Sequence, residues 1–271
     1  MPESDLALLA RAAREAGAVA LRYHGPTAKR WDKPGGAGPV TEADLAVNEA
    51  LKGLLLEARP DYGWLSEGDA DTPERLDRPR IFLLDPIDGT SGFIEGSSSW
   101  SLSLAIVTEG EVTAAVVHLP ADAGKLYAAA AGEGATLDGR PIRAASRDSV
   151  EGAQVLATRY AMEPKHWPGG VPGFKRHHRP SLAYRLALVA EGRFDAMLTL
   201  RDSWDWDVAA GLLICREAGA VVTDREGNPP RFNTEPAKTR GVVAGGPAVH
   251  AGLIAAMRPR RTAQKTWSRR R

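Results

Sequence analysis

The sequence predicts a mixed α/β (α+β) protein, on three observations. Short apolar runs are bounded by turn residues, as at Ile81-Phe-Leu-Leu84 ahead of Asp-Pro, which is how fully buried strands read. Longer stretches carry apolar residues at helical spacing, as from Ser4 to Tyr23. In the second half, helix-like and strand-like segments alternate between 181 and 223, as in βαβ units.

The elements follow in order. Ser4 caps a helix running to about Tyr23, with Leu6, Leu9, Ala13 and Ala16 as its buried stripe. Lys33-Pro-Gly-Gly-Ala-Gly-Pro39 is a loop. Thr41 is an N-cap with Asp44 at the capping-box position, opening a helix to about Ala58. A short strand around Trp64-Leu65 and a polar loop from Gly68 to Arg78 precede the strand at 81–84. Pro86 is expected to stop further sheet pairing. Trp100 to Pro120 reads as a hairpin turning at Glu109-Gly110, and Lys125 to Ile142 as another. Strand-like Gln154–Ala157 leads into a Pro/Gly-rich basic segment, Pro164 to Pro180. Ser181–Glu191 then reads as helix, Phe194–Leu200 as strand, Val208–Ala218 as helix and Ala220–Thr223 as strand. There is no internal repeat.

Apolar residues make up 43% of the 271 and charged residues 25%, ordinary for a globular chain with a sizeable core. A net charge of +1 implies neither nucleic acid nor a membrane surface as partner. Charged residues interrupt Met1–Ala20, which is therefore not a signal peptide, and no run of about 18 apolar residues occurs. The single cysteine, Cys215, lies in a helical apolar pattern and is read as a buried structural thiol. With no intramolecular disulfide available, the cytoplasm is the expected location. The last residues, Arg258 to Arg271, are basic and aperiodic, read as a solvated tail or, less simply, an anchor for RNA or another anionic partner.

The chemistry concentrates in three acidic segments. In Asp85-Pro-Ile-Asp-Gly-Thr90 a buried strand delivers Asp85, Asp88 follows three residues on, and Gly89 permits close backbone approach to a ligand. Such an arrangement suits hard cations and a phosphate, although Asp-Pro and Asp-Gly are also common turn pairs. Glu67 follows the short strand of Trp64-Leu-Ser-Glu67, and Asp207 opens the helix of Trp206-Asp-Val-Ala-Ala-Gly211. For Asp205 and Asp207 taken singly, helix capping is a sufficient reading.

Leu65-Ser-Glu67, Asp85-Pro-Ile-Asp-Gly-Thr90 and Trp206-Asp-Val-Ala-Ala-Gly211 resemble, in order and spacing, the three signatures of the inositol monophosphatase superfamily, and Val40-Thr-Glu-Ala-Asp44 resembles its upstream motif. The resemblance runs from about Leu6 to Met257. It implies a layered αβαβα sandwich and a Mg²⁺-dependent phosphomonoesterase acting through two metals, with a weaker third. By resemblance, Glu67 and Asp85 bind the first metal with the carbonyl of Ile87, and Asp85, Asp88 and Asp207 bind the second. Thr90 with Glu67 orients the attacking water, the N–H groups of Gly89 and Thr90 hold phosphate oxygens, and Asp44 belongs to the outer shell. Li⁺ inhibition is implied as well. The chain divides into an N-terminal half, 1–145, carrying most ligands, a C-terminal half, 146–258, supplying Asp207, and the basic tail, 259–271.

The substrate is read less directly. Family members that act on inositol usually carry a sugar-binding glutamate shortly before the Trp-Asp motif, whereas Met197-Leu-Thr-Leu-Arg-Asp202 stands here. Arg201 suggests a more anionic substrate, and a plain surface arginine is an equal reading. Trp100-Ser-Leu-Ser-Leu-Ala-Ile-Val107 and Trp204-Asp-Trp-Asp207 look more like bacterial 3′(2′),5′-bisphosphate nucleotidases, though Ser91-Gly-Phe93 departs from them. Lys175-Arg-His-His-Arg179 is either a contact for a second phosphate or a solvated basic loop. The preferred substrate is thus a nucleotide bisphosphate, ahead of inositol 1-phosphate and histidinol phosphate. The non-enzyme alternative is an RNA- or transcription-associated binding protein. A small phosphate ester is the expected partner, with no membrane and with homodimerisation open. Asp88→Asn is expected to nearly abolish turnover with the fold intact and, by relieving carboxylate repulsion, to stabilise the metal-free fold slightly.

Overall fold

The computed structural model describes residues 3–32 and 38–258. Most of the expected loop 33–39 and the basic tail lie outside the described residues. Among the described residues no helix is long and apolar enough to cross a membrane.

The chain begins with α1 (Asp5–Leu21), capped by the Ser4 hydroxyl, which accepts from the Ala7 N–H. Its buried face is Leu8, Leu9, Ala12, Ala13, Ala16 and Ala20, so Leu6 sits at the margin of the stripe rather than within it. A small hairpin, β1 (Arg30–Asp32) and β2 (Pro39–Thr41), leads into α2 (Glu42–Ala58). Thr41 and Asp44 form the capping box that the sequence predicts.

A seven-stranded sheet follows. It consists of β3 (Gly63–Ser66), β4 (Arg80–Asp88), β5 (Ser101–Thr108), β6 (Glu111–Leu119), β7 (Lys125–Ala130), β8 (Ala135–Leu137) and β9 (Arg140–Pro141) in that spatial order. The short helix α3 (Thr90–Ile94) interrupts it after β4. Only the β3–β4 pair is parallel in this sheet. Glu109 and Gly110, both at positive φ, make the β5–β6 turn where expected. The second expected hairpin is a three-strand meander, because Asp138-Gly139, also at positive φ, adds one more tight turn.

The second sheet contains β10 (Gln154–Ala157), β11 (Lys175–His177), then, after α4 (Leu182–Ala190), β12 (Ala196–Thr199). Next come β13 (Ser203–Trp204), α5 (Asp205–Glu217), β14 (Val221–Thr223), β15 (Lys238–Thr239), β16 (Val242–Gly245) and α6 (Pro247–Met257). Its order is β11-β10-β12-β16-β14, with β13 and β15 paired separately. The expected βαβ alternation holds for β10–α4–β12, whose strands are parallel neighbours. The last strand among the described residues, β16, then inserts antiparallel between β12 and β14.

Strand alternation builds the layers. In β4, Phe82 and Leu84 face α1 and α2, while Ile81 and Leu83 face α4 and α5. The inner helix pair α4 and α5 also covers the second sheet, and α6 closes that sheet's outer face with Val249, Leu253 and Ile254. The result is the αβαβα sandwich, its three apolar layers interleaved with two sheets. The two inner helices meet closely because Gly211 of α5 lies against Leu186 of α4, where a Cβ would come within 2.5 Å of the leucine Cβ.

Candidate metal centre

Two acids three residues apart should leave a regular strand on opposite faces, because side chains alternate with period two. In β4 they do not. Asp85 stands opposite Ser103 and Asp88 opposite Ser101, so β4 advances by one residue more than β5. This is a β-bulge, and the extra residue returns Asp85 and Asp88 to the same side. Pro86 occupies the bulge, where no ladder N–H is required. The expectation that Pro86 ends the pairing is corrected, since pairing resumes at Asp88. The Asp85 Oδ1 accepts the Ile87 N–H at 2.9 Å, and the Thr90 hydroxyl donates to the Ile87 carbonyl at 3.1 Å.

The two serines opposite these acids anchor the inner helices. The Ser103 hydroxyl donates to the Trp206 carbonyl at 2.9 Å, pinning the first turn of α5 beside Asp85. That helix starts three residues before the expected Val208, so Asp207 lies inside its first turn. Ser101 Oγ lies 3.0 Å from the hydroxyl of Ser181, the N-cap of α4. Ser181 donates in turn to Asp88 Oδ2 at 2.6 Å, and the N–H groups of Leu182 and Ala183 donate to the same carboxylate at 3.1 and 2.6 Å. Asp88 thus caps a helix more than ninety residues away in sequence, at its electropositive end.

Carboxylate oxygens of Asp85, Asp88 and Asp207 all lie within 4.8 Å of one another. Glu67 follows β3 at the edge of this group, its N–H donating to the Leu84 carbonyl at 3.3 Å. Asp44 is buried on α2, its Oδ2 accepting the Thr41 N–H and hydroxyl at 2.8 and 2.6 Å. Asp85 is only 2% exposed. Burial, then the charges of Glu67, Asp88, Asp207 and Asp44, hold its carboxyl well above the usual range. Asp88 is raised by burial, against the opposing hydrogen bonds of Ser181, Ala183 and Leu182 and the charge of Arg185. A largely buried, all-oxygen, negatively charged cluster fits a hard divalent cation such as Mg²⁺ rather than a soft metal.

Glu67, Gly89, Thr90, Ser91, Glu95 and His178, with Gly38, Pro39 and Pro180, line a cavity of about 550 Å³. Arg201 does not belong to it. Its guanidinium lies over the Tyr160 ring, 4.3 Å from the centroid, on the exposed surface. Of the basic run 175–179, only His178 lines this cavity. Burial, reinforced by Arg185, Arg176 and Arg179, holds that imidazole below its ordinary value. Cys215 is fully buried, its thiol donating to the Leu186 carbonyl and pushed up by burial.

Sequence reasoning missed Ser101, Ser103, Arg185 and the part Ser181 plays. Ser181 was legible as a helix start. Which carboxylate docks on that start is decided only by tertiary packing.

Comparison with known proteins agrees with this geometry. Residues 1–262 match the inositol monophosphatase family. The chain is 38% identical over 204 residues to an inositol-1-monophosphatase of Rhizobium meliloti, covering 71% of this chain and 74% of that protein. It is 30% identical to the Nus factor SuhB of Escherichia coli, covering 93% and 95% respectively. Among solved structures, the Thermotoga maritima IMPase superposes with a TM-score of 0.80 at 27% identity, covering 92% of this chain and 94% of that one. Fold and site together define a metal-dependent phosphomonoesterase of layered αβαβα architecture. The chain belongs to the inositol monophosphatase family, whose members use Mg²⁺.

Proposed function

We propose that this protein hydrolyses the phosphate monoester of a neutral polyol, of which inositol 1-phosphate is the type. The observation that carries the choice is the cavity wall beside the acidic cluster. Beyond Glu67 and Thr90, its described lining offers the Glu95 carboxylate and the Ser91 hydroxyl, with His178 and no lysine or arginine. Such groups accept hydrogen bonds from sugar hydroxyls, whereas a second phosphate would require fixed cations. The relatives named inositol-1-monophosphatase support the same reading. Arg201, which favoured a nucleotide bisphosphate in the sequence, is engaged with Tyr160 instead.

In this reading Asp85, Asp88, Asp207 and Glu67, with the carbonyl of Ile87, would hold Mg²⁺. Bound there, the ion supplies Lewis acidity that lowers the pKa of water and balances charge on the ester oxygen. The residues themselves do the rest. Glu67 and the Thr90 hydroxyl orient the attacking water. The N–H groups of Gly89 and Thr90 hold phosphate oxygens, which the positive φ of Gly89 makes approachable. Asp207 reaches from the opposite half, so both metal and substrate lie between the two. Asp44 acts from behind, through its charge on Asp85.

The test compares kcat/KM for inositol 1-phosphate, histidinol phosphate and adenosine 3′,5′-bisphosphate at saturating Mg²⁺. Inositol 1-phosphate is expected to lead, and Arg201→Ala to leave all three within about twofold. A higher kcat/KM for the bisphosphate would overturn the substrate assignment. A second reading comes from the relative named Nus factor SuhB. RNA or transcription-complex binding that persists in Asp88→Asn would add that role without displacing the hydrolase.

A further inference from the structure

Glu67 is not held by its own side chain alone. It sits in the turn Ser66-Glu67-Gly68-Asp69, closed by the Asp69 N–H donating to the Ser66 carbonyl at 3.3 Å. This turn rests on one face of α2. Asn48, one helical turn beyond Asp44, is 2% exposed and lies directly beneath it. Its Oδ1 accepts the Ser66 hydroxyl at 2.7 Å, and its Nδ2 donates to Asp69 Oδ2 at 3.0 Å. The Ser66 hydroxyl oxygen meanwhile accepts the Gly68 N–H at 3.2 Å. The bonds therefore run in one direction, from the Gly68 amide through Ser66 to the Asn48 oxygen, and from the Asn48 amide to Asp69. Only an asparagine-like group, with an acceptor and a donor side by side, satisfies both ends.

Two further contacts close the arrangement. A Cβ at Gly68 would fall 2.6 Å from Asn48 Cγ, so the turn presses on the amide with no room for a side chain. Asp69 Oδ2 also accepts the Trp64 Nε1–H at 2.6 Å and Lys52 Nζ at 3.3 Å. Both ends of the turn that carries Glu67 are thus tied to α2, and Glu67 is the one residue of the four whose side chain faces the cavity beside the acidic cluster.

We propose that Asn48 is a positioning residue for the metal centre: by fixing both ends of the Ser66–Asp69 turn, it sets where the Glu67 carboxylate stands. Outer partners of this kind typically change metal affinity or activity by about 10- to 100-fold when removed. The inference rests on the reading of Glu67 as a metal ligand.

The experiment measures Mg²⁺ affinity directly, by calorimetric titration of the metal-free protein, alongside the Mg²⁺ dependence of turnover. Asn48→Ala is expected to weaken Mg²⁺ binding by about tenfold or more and to lower kcat, with KM for the ester held within about twofold. Asn48→Asp sets a carboxylate against Asp69 and should weaken Mg²⁺ binding at least as much. Should either variant fail to fold, Ser66→Ala breaks the same chain at one hydroxyl and should shift Mg²⁺ affinity in the same direction. Leu55→Val, also buried on α2 but two helical turns beyond Asn48, is the control for mere loss of helix stability, and its Mg²⁺ affinity should match wild type. Wild-type Mg²⁺ affinity in both Asn48→Ala and Ser66→Ala, or an equal loss in Leu55→Val, overturns the positioning role. Glu67→Gln separates the two levels. If it binds Mg²⁺ as tightly as wild type, the ligand reading of Glu67 fails; if it binds weakly while the Asn48 variants bind normally, only the positioning inference fails.

Discussion

Gly211→Ala sets two physical effects against each other. In an exposed helix, replacing glycine by alanine stabilises by about 1 kcal/mol. In α5, however, the new methyl would stand 2.5 Å from Leu186 Cβ, 2.7 Å from its Cδ1 and 3.1 Å from its Cγ. Ordinary carbon contacts lie near 3.5–4.0 Å, so the overlap with Cβ is roughly 1 Å. Leu186 is fully buried, and its Cβ cannot be moved by changing rotamer. The two helices must separate instead. Overpacking of this kind costs about 1–3 kcal/mol, and a clash with a Cβ belongs at the upper end. After subtracting the helix-propensity gain, the expected net loss is about 2 kcal/mol, or roughly 3–4 °C in Tm for a protein of 271 residues. The shift also moves α4, whose first turn holds Asp88, relative to α5, which carries Asp207. Mg²⁺ affinity should therefore fall too. Thermal and urea unfolding of metal-free protein, followed by Mg²⁺ titration, measure both. A Tm equal to or above wild type would refute the close-packing argument, since helix propensity alone gives that result.

Asp88→Asn should lose nearly all turnover, and the metal-free fold should lose about 1–2 kcal/mol rather than gain stability, because an amide can meet the N–H groups of Leu182 and Ala183 with only one acceptor; a raised urea midpoint would restore the repulsion argument. Ser103→Ala should weaken Mg²⁺ binding and cost about 1 kcal/mol by releasing the Trp206 carbonyl, which equilibrium unfolding checks. The Asp85 carboxyl, raised by burial and its acidic neighbours, binds its proton more tightly in the fold than in the unfolded chain. The metal-free fold therefore draws stability from it at low pH and loses that stability as pH rises above the unfolded value of about 3.9. Because Mg²⁺ binds the ionised form, the Tm gain on adding Mg²⁺ should be larger near about pH 8 than near about pH 5.5, and an equal or inverted gain would count against the cluster. Cys215 should react with a thiol reagent only as the protein unfolds, and rapid labelling of native protein would contradict its burial.

By itself the sequence determined the elements whose signals are local. The capping box of Thr41 and Asp44, the buried run at 81–84 and the Glu109-Gly110 turn follow from periodicity and turn chemistry. The acids that gather in the candidate metal centre, Asp85, Asp88 and Asp207, were picked out by motif resemblance, and their convergence only as an implication of it. Tertiary structure decided what depends on register and on distant packing. A bulge at Pro86 brings Asp85 and Asp88 to one side of β4, which no count of residues along the strand reveals, since the partner strand sets the register. Asp88 capping α4, Ser101 and Ser103 anchoring the inner helices, and Asn48 beneath Glu67 join residues up to 103 apart in sequence. Arg201 illustrates the converse. Its charge and its nearness to the Trp-Asp motif suggested a substrate contact, but in the fold its guanidinium lies over the Tyr160 ring, away from the cavity.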